Sequence, residues 1–238
     1  MTRTKSKLNF VCLWFFLIAT FSIFAFFLLS HALGYQIDWK NFSYYKTGIL
    51  SLDIEPKQSQ VFLDGKLVNL NIRKSLNLLK PGRYDVEIKK AGYNLWSRSI
   101  IIDSGLVSRY ENIKLFLAEP EILTASDQEA KKFENLKPDQ DLILVGDSEI
   151  RLKINPNNEE TELVTRFSYS IKNIRWFPDK KHIAFVGRDG LRMIELDGAN
   201  NTLILSLEDK NGFDYYFSND GRYVIYQQVG VVKKARIN

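Results

Sequence analysis

Leu142-Ile143-Leu144-Val145-Gly146 and Ile183-Ala184-Phe185-Val186-Gly187 stand 41 residues apart. The same offset carries Ile150-Arg151-Leu152 onto Leu191-Arg192-Met193. It also carries the run Asp179 to Phe185, DKKHIAF, onto Asp220 to Tyr226, DGRYVIY. Apolar residues alternate within each copy, the pattern of inner strand positions. The leading aspartate falls where a turn is expected, its carboxylate placed to accept local backbone N–H groups. Gly198, in Leu196-Asp197-Gly198, reads as the outer hairpin of the middle copy.

A period of about 40–45 residues, filled with several short strands, is that of propeller blades. Trp176-Phe177-Pro178-Asp179-Lys180 and Phe217-Ser218-Asn219-Asp220-Gly221 resemble the repeat element of TolB-type, WD40-like propellers, and Met193 to Gly198 extends the resemblance. The likeness covers about 121–238, and the stretch 118–238 reads as an incomplete set of blades. The middle unit matches best, the last is half-present, and the first, around 138–155, is faint. Three such units do not close a ring of about 4–8 blades. The favoured expectation is truncation of a longer gene product. The others are an open arc with an exposed edge suited to self-association, and completion by a second chain.

Upstream, period-two alternation begins after Thr47. Ile49 to Ile54 and Gln60 to Leu63 read as strands, the second stopped by the hairpin-type turn Asp64-Gly65. Lys80-Pro81-Gly82 turns the chain into Arg83 to Lys89, where Tyr84, Val86 and Ile88 share one face and charges share the other. Ala91-Gly92-Tyr93 turns it again into Leu95 to Ile102, and Tyr110 to Phe116 closes the unit. Short strands at this spacing predict a small β-sandwich over 47–117. These turns and strands resemble a PEGA domain, although Lys57-Gln58-Ser59-Gln60 stands where the Pro-x-Gly-Ala core of that family falls. The resemblance implies a small extracytoplasmic β module of cell-envelope proteins, without catalytic residues.

Phe10 to Leu29, FVCLWFFLIATFSIFAFFLL, carries no charge. Its 20 residues reach about 30 Å as a helix, the thickness of a hydrocarbon core. Residues 10–33 are therefore expected to span the lipid bilayer as an uncleaved signal anchor. The competing reading is a cleaved signal peptide, with Ser30-His31-Ala32 as its site, but the apolar run exceeds a normal h-region of about 7–15 residues. Arg3, Lys5 and Lys7 make residues 1–9 a basic cytoplasmic tip, which sends the chain beyond Gly34 outward across the cell membrane. Residues 34–46 read as a juxtamembrane linker, in which Tyr35, Trp39, Tyr44 and Tyr45 suit an interfacial aromatic belt. Cys12 is a passive apolar residue within the span.

Lys+Arg of 33 against Asp+Glu of 28 gives +5, but removing the three tip cations leaves 30 against 28. That balance withdraws the case for a nucleic-acid partner. One cysteine excludes an intrachain disulfide and a Cys-based zinc cluster. Of two histidines, His31 falls at the membrane boundary and His182 at a turn-to-strand position, a surface or packing residue. Asp189-Gly190 and Asn219-Asp220-Gly221 are too short for calcium loops and read as turns. Asn41-Phe42-Ser43 and Asn200-Asn201-Thr202 are formal glycosylation sequons, with meaning only in a eukaryotic protein, against which the bacterial look of both resembled families argues. No catalytic, cofactor-binding or metal-ligating residue is expected, and no cofactor. The fold class expected is an all-β outer region, a small β-sandwich plus partial β-propeller-like blades, behind one N-terminal transmembrane helix. The function expected is non-enzymatic: an anchored envelope protein presenting β modules to a protein or glycan. The alternative is a carboxylate-dependent hydrolase of cell-wall polymers.

Overall fold

A computed structural model describes residues 3–70, 74–154, 160–210 and 212–238, with side chains from residue 10 onward. The side chains of the basic tip, and residues 1 and 2 altogether, lie outside it. The chain is mostly β, behind one N-terminal apolar helix.

That helix, α1, runs from Arg3 to Ala32 without a Gly or Pro. Within its apolar stretch Phe10–Ala32, Ser30 near the end is the one buried residue, and the large apolar side chains are exposed. Apolar residues go all round it, so no single face is marked for a core. It ends where Gly34 takes the left-handed conformation, φ +84°, with Leu33 and Gly34 donating back to the carbonyls of Leu29 and His31.

The strands that follow are β1 (Tyr35–Asp38), β2 (Ser43–Lys46), β3 (Gly48–Glu55), β4 (Gln60–Leu63), β5 (Lys66–Val68), β6 (Ser75–Leu79), β7 (Gly82–Lys89), β8 (Trp96–Ile102) and β9 (Val107–Lys114). After β10 (Glu121–Thr124), α2 (Asp127–Lys131) and a 3₁₀ turn come β11 (Leu142–Val145), β12 (Glu149–Lys153), β13 (Thr161–Arg166) and β14 (Lys172–Trp176). The chain ends with β15 (His182–Val186), β16 (Gly190–Glu195), β17 (Thr202–Ser206), β18 (Asp214–Phe217), β19 (Tyr223–Gln228) and β20 (Val231–Arg236).

The chain forms two compact units. The first comprises Met1–Asp53, Asn69–Tyr84 and Ser99–Glu111; the second comprises Ile54–Val68, Asp85–Arg98 and Asn112–Asn238. In the first, β1 and β2 make an antiparallel hairpin, Tyr35 opposite Lys46 and Asp38 opposite Ser43. Residues 34–46 are thus ordered as a paired turn. Thr47 closes its base, donating through both its amide and its hydroxyl to the Gly34 carbonyl. The sheet order β6-β3-β9 continues this unit, with Leu50 and Leu52 of β3 fully buried.

The second unit takes up the order β5-β4-β7-β8. On β7, Val86 and Ile88 are fully buried while Asp85 and Lys89 are exposed, the alternation expected from the sequence. Asp64 and Gly65 both take positive φ in the β4–β5 turn, as a two-residue primed hairpin requires.

Three further open sheets follow in this unit: β11-β12-β13, β14-β15-β16-β17 and β10-β20-β19-β18. Strand β15, His182-Ile183-Ala184-Phe185-Val186, is buried at every residue. Its unbroken apolar run reflects burial on both faces. Ile183 and Phe185 pack with Leu142, Ile150, Ile171 and Ile194. Ala184 and Val186 pack into a second cluster with Leu191, Met193, Phe217, Val224 and Ala235.

The 41-residue offset recurs as strand register. Ile183 faces Ile194 and Val186 faces Leu191; 41 positions on, Val224 faces Ala235 and Gln227 faces Val232. The first copy departs by one residue: Leu142 faces Leu152, where the offset calls for Lys153. A three-residue turn, Gly146-Asp147-Ser148, replaces the two-residue turns of the later copies, which is why the first copy reads faintly. The last copy is fuller than its sequence suggests. Strand β10 covers the edge of β20, Glu121 opposite Arg236, and supplies a fourth strand.

Candidate functional site

The turn aspartates do what their positions predict. Asp179 accepts from the backbone N–H groups of Lys181 and His182 at 2.8 and 3.1 Å. Asp220 accepts from Arg222 N–H at 3.1 Å and from the Ser218 hydroxyl at 2.6 Å. Asp189 is taken up by Arg192, 2.5 Å away. Each carboxylate is committed to its own turn.

His182 is a packing residue rather than a surface one: it is 4% exposed. Its ring meets Asp179 at 2.7 Å and stands edge-on to Phe116 and Phe177. Burial pushes the Asp179 carboxyl up, but the hydrogen bond and charge of His182 and the two backbone donors outweigh it and hold it below the ordinary value.

Beside this pair, Glu195 gathers donors from distant segments. Trp96 Nε1 lies 2.5 Å away, Arg98 Nη1 2.8 Å and Asn200 Nδ2 2.8 Å. The crevice here has about 10 Å³ of free space, room for one water. Its polar atoms hold the unit together and leave no room for a substrate.

The larger opening lies at one end of the β14–β17 sheet. In an antiparallel meander, the start of β14, the β15–β16 turn and the end of β17 all fall at the same end. That geometry brings together Tyr169, Ser170, Lys172, Arg188 and Lys210 around a cleft of about 390 Å³, within the size range of ligand sites. The guanidinium of Arg188 lies 5.0 Å from the centre of the Tyr169 ring. Lys210 Nζ donates to the Arg188 carbonyl and fixes the turn. Lys172 and Arg188 are exposed, and neither is ion-paired with a described residue. Among the described residues, no carboxylate or imidazole lines the cleft. Three cations beside an aromatic face suit an anionic ligand with an apolar or sugar-ring face.

Sequence reasoning passed over these residues because 38 positions separate Lys172 from Lys210. In sequence, the neighbouring Asp189-Gly190 reads only as a turn too short for calcium, and Arg188 carries no mark of its own. The available signal was the meander itself, which places alternate loops together once the strands are counted.

Among the described residues, no group of three or more His, Cys, Asp or Glu could hold a metal ion. A scan of known protein families and a search of curated proteins both return no match to this chain.

Proposed function

We propose that this chain is a single-pass, membrane-anchored protein of the bacterial cell envelope that presents β modules outside the cytoplasm to bind an anionic glycan or an acidic protein surface. Residues 10–33 hold it in the bilayer, residues 1–9 stay cytoplasmic, and the β region faces outward. The observation that carries this reading is the apolar helix, its large side chains exposed, leading directly into a mostly β chain. The large apolar side chains from Phe10 to Leu29 are left open, so a bilayer is the solvent that suits them.

The finer architecture is a PEGA-like β-sandwich over 47–117 followed by TolB-like, WD40-like blades over 118–238. The primed Asp64-Gly65 turn and the alternating strand at Tyr84, Val86 and Ile88 support the first. The matched hairpin registers 41 residues apart support the second. Binding rather than catalysis fits the basic cleft, whose described lining offers cations and an aromatic ring.

The test uses the full chain in lipid nanodiscs, with polygalacturonate as an anionic polysaccharide and its methyl ester as the neutral control. Binding of the anionic form alone, lost in Lys172→Glu/Arg188→Glu, is the result expected. Equal binding of both forms, or binding untouched by the double variant, contradicts the assignment of the cleft. Cleavage of the polymer would move the reading to a hydrolase.

A further inference from the structure

The hairpin Tyr35–Lys46 is separated from α1 by Leu33 and Gly34 alone. A cleft of about 270 Å³ is lined by Phe27 and Ser30 of the helix together with Tyr35, Trp39 and Tyr44 of the hairpin. Phe27 lies five residues before the end of the helix, about 7 Å down its axis. Trp39, at the hairpin tip, reaches that level, so the hairpin folds back along the last turns of α1. The apolar window of 23 residues is about 34 Å long against a hydrocarbon core of about 30 Å. The last turn therefore sits where acyl chains meet headgroups, and the hairpin tip, at the level of Phe27, sits a few ångströms below it.

The tip is built to present apolar side chains. Asp38 accepts from the amides of Lys40 and Asn41 at 3.0 and 3.4 Å, and from Asn41 Nδ2 at 3.0 Å. Lys80 Nζ holds the same carboxylate at 2.6 Å. The turn is thereby locked before any contact is made. Trp39 is 70% exposed and Phe42 87% exposed, and Phe42 is held at φ +45°, an uncommon conformation for a bulky residue. Two large aromatics held into open solvent on a rigid turn await an apolar surface. Between them Lys40 is exposed, a cation on a long stem able to reach up to lipid phosphate.

We propose that the 35–46 hairpin is a second membrane contact, seating Trp39 and Phe42 at the acyl–headgroup boundary of the leaflet that α1 exits, with Lys40 against lipid phosphate. This rests on the reading of α1 as a span. The occupant is the bilayer because the hairpin is continuous with the span and beside its end. Paired with the helix, the contact restrains rotation and tilt of the first unit at the membrane surface.

The experiment uses the full chain in a Cys12→Ser background, with single cysteines introduced as Phe21→Cys, Trp39→Cys and Phe42→Cys. Each carries an environment-sensitive fluorophore in phosphatidylcholine–phosphatidylglycerol vesicles, with or without lipid bearing a nitroxide high on the acyl chain. Emission at 39 and 42 is expected to fall at least twofold with nitroxide lipid and to be shielded from aqueous iodide. If 21 is shielded from iodide while 39 and 42 are quenched freely by it, the span stands and the hairpin proposal falls. If 21 is also open to iodide, both fall. Shielding of 39 and 42 from iodide without nitroxide quenching would show a protein cover and overturn the proposal.

Discussion

The indole N–H of Trp96 donates to a carboxylate oxygen of Glu195, 2.5 Å away, across 99 positions of chain. Arg98 donates to the other oxygen of the same carboxylate. Glu195 is thus the point at which β8 is held to β16. In Glu195→Ala, the Trp96 and Arg98 donors lose their acceptor at a site where water has little access. Stability is expected to fall by about 2–3 kcal/mol, with Glu195→Gln losing less because it keeps one acceptor oxygen. Urea denaturation of the full chain in mild detergent checks this.

The Asp179–His182 pair gives a pH dependence. The Asp179 carboxyl is held below its ordinary value of 3.8 in the folded protein. Its contribution is therefore present above that value and lost as pH falls through the folded value. The stability gap between the parent and Asp179→Asn should therefore narrow as pH falls below about 4. Urea midpoints of both proteins between about pH 5 and 2 check it, and a gap that widens over that range would contradict the assignment.

Lys180 and Gly221 occupy equivalent turns, both left-handed, at φ +56° and +67°. A Cβ on Gly221 would come within 2.5 Å of Phe177 Cζ. Gly221→Ala therefore meets both backbone strain and a buried ring, and should destabilise by about 2–4 kcal/mol. Lys180→Gly relieves the strain while losing the contact with Trp176, 5.2 Å to the ring centre. It should stay within about 1 kcal/mol of the parent. Thermal unfolding followed by circular dichroism ranks the two.

Binding of polygalacturonate at the Tyr169–Arg188 cleft should weaken as salt rises, because its cations are exposed and screened within a Debye length of about 8–10 Å. Lys172→Glu should reduce affinity at least threefold without moving the unfolding midpoint, since the side chain is solvent-exposed. Titration at two ionic strengths separates this from apolar association, which salt would not weaken.

Much of the fold was legible because its signals are local. Charge-free length marks α1, period-two alternation marks β7, and the 41-residue offset marks β15 and β19. What escaped depends on pairing between distant segments. Strand β10 completes the last sheet through partners more than 100 residues away, and Glu121-Ile122-Leu123-Thr124 alone carries no mark of that. The hairpin at 35–46 was hidden for a different reason. Its turn, Asp38 to Phe42, holds no glycine, and the asparagine and aspartate bonds that shape it use side chains rather than a primed-turn dipeptide. The basic cleft was invisible for the same reason as β10, its members being close only across a folded meander.

In the proposed topology α1 crosses a membrane and the β region stands on the far side from the basic tip. The direct measurement is labelling of Leu67→Cys, in the Cys12→Ser background, by a membrane-impermeant maleimide in spheroplasts, followed by alkaline washing of the membranes. Leu67 is exposed on the β4–β5 hairpin. Labelling before lysis, with the chain retained in the washed membrane pellet, is the outcome expected. Release of the chain into the supernatant, or labelling only after lysis, would contradict it.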